Sequence, residues 1–145
     1  MPNRNQQDTK AQNSDSKLLG LLTFGHLAND WAPASVWLLA PAIGLAFDLP
    51  PSKIGLLITI HHIGAALAYL PTGILSDRIQ QPGRLMLVTF FWVGVGCFLT
   101  SFAPDFWTLA LLFTLAGMGD AAWHPIATGV LARQFPERKG QVLGI

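Results

Sequence analysis

The chain has 145 residues, of which 51% are hydrophobic and only 12% charged, with a formal net charge of +1. A water-soluble domain carries about a quarter charged residues, so half that share excludes an ordinary soluble fold and makes lipid the expected solvent. The single cysteine, Cys97, has no partner for an internal disulfide and reads as a packed thiol.

Residues 1–17 are rich in Asn, Gln, Asp, Ser and Lys. They carry too little apolar surface to order themselves, and a mobile cytoplasmic tail is predicted. The apolar sequence that follows runs on from Leu18 to Phe47 without a small-residue cleavage site, which argues against a removed signal peptide. A bilayer core of about 30 Å needs about 20 helical residues, and four stretches supply them: 18–47, 54–76, 85–103 and 106–132. The first is overlong and carries Pro33 and Pro41, where bends are expected. In the second, Gly64 and Ala68 stand four apart, with Ala65 and Ala66 between, a small-residue face suited to close helix contact. Backbone groups in lipid must satisfy one another, so all four are read as helices. Beyond Arg133 a polar loop is expected. Residues 141–145 then turn apolar, as the start of a fifth helix in a longer protein would.

Charge placement sets the orientation. With the tail inside, Arg4, Lys10, Lys17, Arg78, Arg84, Arg133, Arg138 and Lys139 all fall on the cytoplasmic side, and of the nine basic residues only Lys53 falls outside. Both ends of the sequence are therefore expected in the cytoplasm, in a cell membrane protein that crosses the bilayer about four times.

Ionisable groups at mid-membrane are costly and mark functional positions. The first span holds His26, Asn29 and Asp30, the second His61 and His62, and the fourth Asp120 and His124. Counted from the expected helix ends, both carboxylates lie about 18 Å from the cytoplasmic boundary at 1.5 Å per residue. In each helix the histidine is four residues from the acid, on the same face and nearer the cytoplasm. Matched polar pairs on helices of opposite direction are what an inverted repeat would give, with its site near the midplane. His26, Asn29, Asp30, Asp120 and His124 are thus the candidate substrate and proton pathway, since histidines and desolvated carboxylates can titrate near neutral pH. The plainer alternative is that each pair satisfies itself within its own helix. His61 and His62 point about 100° apart, so at most one should face a given cavity and the other should be structural. Trp31 and Trp123, beside the acids, are candidates to line a path. Trp107 suits an interfacial aromatic belt.

Between the second and third spans, Gly73, Leu75, Asp77 and Arg78 resemble the loop signature of the major facilitator superfamily, with Gly83 and Arg84 arriving three residues late, as in a longer turn. Gly25-His26-x-x-Asn29-Asp30, Trp123-His124-Pro125 and Arg133-x-Phe135-Pro136-x-Arg138-x-Gly140 resemble the fosmidomycin-resistance-like branch of that superfamily. An Arg-x-x-x-Gly pattern that many members carry in the fourth helix is absent. The resemblance implies an all-α bundle of twelve spans in two halves, working by alternating access, with the first and fourth helices bordering a central cavity. It also implies a cytoplasmic gate containing Gly73, Asp77, Arg78 and Arg84, with Arg133 as partner of Asp77.

The leading reading is a secondary transporter, not an enzyme, for drugs or small organic solutes driven by protons. Its partners would be lipid, substrate, protons and the remaining helices of the full-length protein, with no cofactor, metal or nucleic acid. Two alternatives stay open: a complete four-helix protein that dimerises, and a haem- or metal-binding protein using the histidines. The sequence has no phosphate-binding glycine loop with lysine, which disfavours an ATP-driven pump.

Overall fold

A computed structural model describes residues 4–144. Four long helices follow one another, α1 (Arg4–Ala46), α2 (Pro51–Arg78), α3 (Pro82–Thr100) and α4 (Phe106–Gln134), then a 3₁₀ turn (Pro136–Arg138) and the short α5 (Lys139–Val142). By length and composition α2, α3 and α4 qualify as membrane spans. Helix α1 is not among these, because its apolar stretch is diluted by His26, Asn29 and Asp30 and preceded by a polar segment. Its outward stripe is nonetheless apolar. Leu21, Phe24, Trp31, Leu38 and Leu45 are all more than half exposed, a pattern that suits a lipid-facing side of a bundle rather than water.

The amino-terminal segment departs from expectation. Instead of a mobile tail, the described residues up to Lys17 continue α1 as a polar helix. Extending an existing helix needs no new nucleus, and Gln134 Nε2 donates to Asp15 Oδ1 at 3.2 Å, tying this segment to the end of α4. Residues 1–3 of that tail, and Ile145 of the expected fifth helix, lie outside the described residues. Helix α1 also runs unbroken through Pro33 and Pro41, as α4 does through Pro125.

Helix α4 is the centre of the bundle, packed against α2 on one side and α3 on another, with α1 more lightly attached. Small residues make this possible. Ala116, Gly117, Gly119, Ala121 and Ala122 are buried along it. A Cβ on Gly117 would fall inside the His61 ring of α2, and one on Gly64 would collide with Thr114 of α4. The expected small-residue face of α2 is thus its contact with α4. The core at the end where α1 joins α2 and α3 joins α4 contains Leu57, Phe106, Leu109, Ala110 and Phe113.

The connections are short and specifically built. Asp48 takes a left-handed backbone (φ 50°) between α1 and α2, a conformation Asp tolerates better than most residues. Asp105 caps α4, accepting from Trp107 N at 2.8 Å, Thr108 N at 3.0 Å and Thr108 Oγ1 at 2.8 Å. The bonds from Thr108 and then Trp107 hold this exposed carboxyl below the usual carboxylate range. Lys53 Nζ lies 4.7 Å from the Phe106 ring centre and 4.9 Å from that of Trp107, joining the first turns of α2 and α4 by cation–π contact.

The loop between α2 and α3 is shorter than the late Gly83 and Arg84 suggest. Only residues 79–81 leave the helices. Pro82 occupies the first turn of α3, where its missing N–H costs nothing, so Gly83 and Arg84 belong to that turn.

Candidate functional site

The polar residues of α1 and α4 meet. Three contacts fix the register: Asp15 with Gln134, the stacked rings of His26 and Trp123, and Asn29 with Asp120. Each step forward along α1 is a step back along α4, so the helices are antiparallel and their acids fall at one level. Asn29 is completely buried. Its Nδ2 donates to Asp120 Oδ1 at 2.5 Å, to the Asp120 carbonyl at 3.3 Å and, weakly, to Asp30 Oδ1 at 3.5 Å. One amide therefore stands between two carboxylates. The Asn29 Oδ1 is buried without a partner, as is Trp123 Nε1.

Asp30 is held from two helices. His26 Nε2 approaches its Oδ2 at 3.1 Å within α1, and His124 Nε2 approaches its Oδ1 at 3.7 Å from α4. The sequence pattern pairs each histidine with the acid of its own helix. The structure keeps the pair in α1 but turns the His124 ring across the seam: its Nδ1 lies 3.0 Å from the Asp120 backbone carbonyl, not the carboxylate. A carbonyl only accepts, so Nδ1 carries the proton of that bond and Nε2 faces Asp30. Stacking on Trp123 (centroids 5.4 Å apart, planes 13° apart) fixes the plane of His26. Trp123 is buried, whereas Trp31 points outward and is 70% exposed.

Two cavities adjoin this cluster. One of about 200 Å³ lies toward the Asp15–Gln134 end, lined by Leu22, Thr23, His26, Trp123, His124 and Leu131 among others. Another of about 450 Å³ opens on the opposite side, lined by Asp30, Trp37, His61, His62, Tyr69, Asp120 and His124 among others. His124 borders both, and neither is lined by Lys or Arg.

The neighbouring histidines of α2 divide their roles, with one difference from expectation. His61 is buried and structural: its Nδ1 lies 3.2 Å from the Phe113 carbonyl and its ring stacks on Phe113 at 4.1 Å. His62 is exposed, with Nδ1 2.9 Å from the Ile58 carbonyl. Both nevertheless line the larger cavity, because Trp37 reaches across from α1 to the two rings and the cavity is wide enough to take in both edges.

The loop residues behave differently. Gly73 lies against Pro125 of α4, while Asp77, Arg78 and Arg84 are exposed. Arg133 does not reach the Asp77 carboxylate among the described ion pairs. Its Nη2 donates to the Ser76 carbonyl at 3.5 Å and its Nε to the Gly129 carbonyl at 3.1 Å. The basic side chain thus bridges α4 to the end of α2 through backbone next to the acid.

An antiparallel helix bundle with apolar outer faces and a polar seam flanked by cavities fits a multi-pass membrane protein. Residues 19–145 match the model of the Major Facilitator Superfamily, and the chain belongs to that family. It is 26% identical over 132 residues to the fosmidomycin resistance protein of Escherichia coli (strain K12), covering 91% of this chain and 32% of that one. It is 27% identical over 107 residues to a probable 4-methylmuconolactone transporter of Cupriavidus pinatubonensis, covering 73% and 25%. It is 30% identical over 118 residues to a sphingosine-1-phosphate transporter of Xenopus tropicalis, covering 80% and 23%. The chain spans about a third or less of the length of these relatives. No solved structure matches at a significant level.

Proposed function

We propose that the chain forms part of a proton-coupled secondary transporter of the cell membrane, with its amino terminus in the cytoplasm, that moves a small organic solute. The observation that carries this reading is the junction of two cavities at His124, between His26 in one and Asp30 in the other, with Asp120 two hydrogen bonds from Asp30 through Asn29. Relatives named for fosmidomycin resistance and for 4-methylmuconolactone transport support a small organic cargo. The eight inward basic residues of the sequence support the orientation.

The chemistry follows from the donor set. Two carboxylates bridged by a single amide are electrostatically linked, so a change of charge on one is felt by the other. His124, bordering both cavities, can receive a proton from one side while its ring stays fixed by the Asp120 carbonyl. A proton gained or lost changes how strongly α1 is drawn to α4 across Asp30, and so biases which cavity is open. Substrate that binds one of those states better is then driven by the gradient. The test is transport by the complete protein in proteoliposomes with an imposed pH gradient. Drug or solute flux should follow the gradient and collapse when a protonophore dissipates it. Flux indifferent to the gradient would discard the coupling.

A further inference from the structure

The sequence leaves open metal ligation by the histidines or by the His–Asp pairs of α1 and α4 without showing which of these side chains meet. The structure adds a third donor from across the seam. One ligand atom each from His26, Asp30 and His124 lies within 4.8 Å of the others. We infer that these three side chains form a binding site for a divalent transition-metal ion of the Zn²⁺ class, linking α1 to α4.

The geometry and the donor chemistry support this. Two imidazole nitrogens with one carboxylate suit Zn²⁺, Co²⁺ or Ni²⁺, whereas Mg²⁺ and Ca²⁺ demand an oxygen shell. The ligands are already oriented by a second shell: His124 by the Asp120 carbonyl at 3.0 Å and His26 by its stack on Trp123. Metal-binding imidazoles are commonly fixed through the ring nitrogen that does not ligate, and His124 presents that arrangement with Nε2 turned to Asp30. No lysine or arginine lines either adjoining cavity to compete for the carboxylate. Access is open too, with the side chains of His26, Asp30 and His124 exposed by 46%, 40% and 28%. The contacts of 3.1 and 3.7 Å between imidazole and carboxylate are near the donor spacing around a tetrahedral ion, and the three donors, which lie within 4.8 Å of one another, would have to draw closer on binding. Metal ligation requires deprotonated ligand atoms, so metal and proton compete for the same sites. A bound ion would also clamp the two helices together.

The test uses the full chain without a polyhistidine tag, in lipid nanodiscs, titrated with Co²⁺ and followed by its visible ligand-field absorption. One Co²⁺ per chain is expected, displaced by Zn²⁺ and weakened as the pH is lowered. Affinity should fall by at least about tenfold in Asp30→Asn and in His124→Gln, and stay unchanged in His62→Ala. An absent spectrum, or one unaltered in both Asp30→Asn and His124→Gln, overturns the site. A variant-free measurement covers the case in which these substitutions disturb folding. In the unaltered chain, Zn²⁺ should protect His26 and His124, but not His62, from carbethoxylation read by mass spectrometry; equal labelling with and without Zn²⁺ overturns the site as well. The site rests on ligand geometry and not on proton coupling. Transport indifferent to a pH gradient would leave the Co²⁺ spectrum in place, and a missing spectrum would leave the coupling reading intact.

Discussion

Helix α4 meets α2 and α1 along two seams of opposite character. Against α2 it is dry and close, with glycine and alanine letting the backbones approach until a single Cβ would displace a ring. Against α1 it is looser and polar, closed by Asn29, Asp30, His26 and His124. In lipid, where apolar surface gains nothing from burial against apolar surface, close packing is what associates helices. The α2–α4 seam therefore supplies cohesion. The α1–α4 seam keeps polar contacts that can be remade in another arrangement.

The contrast is sharpest where the seams are broken one at a time. Gly117→Leu places a branched side chain where His61 sits and should lose more than the about 1–3 kcal/mol typical of overpacking, read as a collapse of thermal stability and of monodisperse yield in detergent. A normal stability would mean that the seam is not close-packed. On the polar side, Asp30→Asn keeps shape and removes the charge. It should leave folding nearly intact while abolishing a proton–substrate coupling of the usual about 5- to 150-fold, measured as gradient-driven flux in the complete protein. Asn29→Ala removes the donor between the two acids and should cost about 1 kcal/mol of stability, less than Gly117→Leu although Asn29 is completely buried. Thermal unfolding compares the two directly, and a reversed order would refute the division of labour.

The outer connections give the smallest effects. Lys53→Ala should cost about 0.5 kcal/mol through the lost contact with Phe106 and Trp107. Asp105 adds a pH signature. Its carboxyl is held below the ordinary range in the folded chain, so its contribution is fully present above the unfolded value of about 4 and disappears as pH falls through the lower folded value. Asp105→Ala should flatten that acid limb of a stability–pH curve, and an unchanged limb would show that the cap does not carry it.

Much of this was legible in the sequence because lipid imposes simple rules. The spans at 54–76, 85–103 and 106–132 fall within a few residues of α2, α3 and α4, since an apolar run of bilayer length must satisfy its backbone internally. The level of Asp30 and Asp120 also followed from counting. What counting does not supply is rotation. Nothing in the spacing of His124 and Asp120 tells that the ring turns to Asp30 on another helix, or that Asn29 bridges the acids. Which of His61 and His62 is buried depends likewise on the glycine opposite, Gly117, which lies 56 positions away in α4 and is invisible to a local pattern. The polar start of α1 was misread because composition alone gives no weight to a helix already nucleated downstream.

Pro33 and Pro125 follow the acids of their helices by three and five residues. Each lacks the amide that would hold the carbonyl four positions earlier, which leaves the Asn29 and Ala121 carbonyls without their usual helical donor. In the antiparallel register the two missing bonds fall on opposite sides of the level at which Asn29 meets Asp120. Flexing either helix at its gap requires no further backbone bond to be broken.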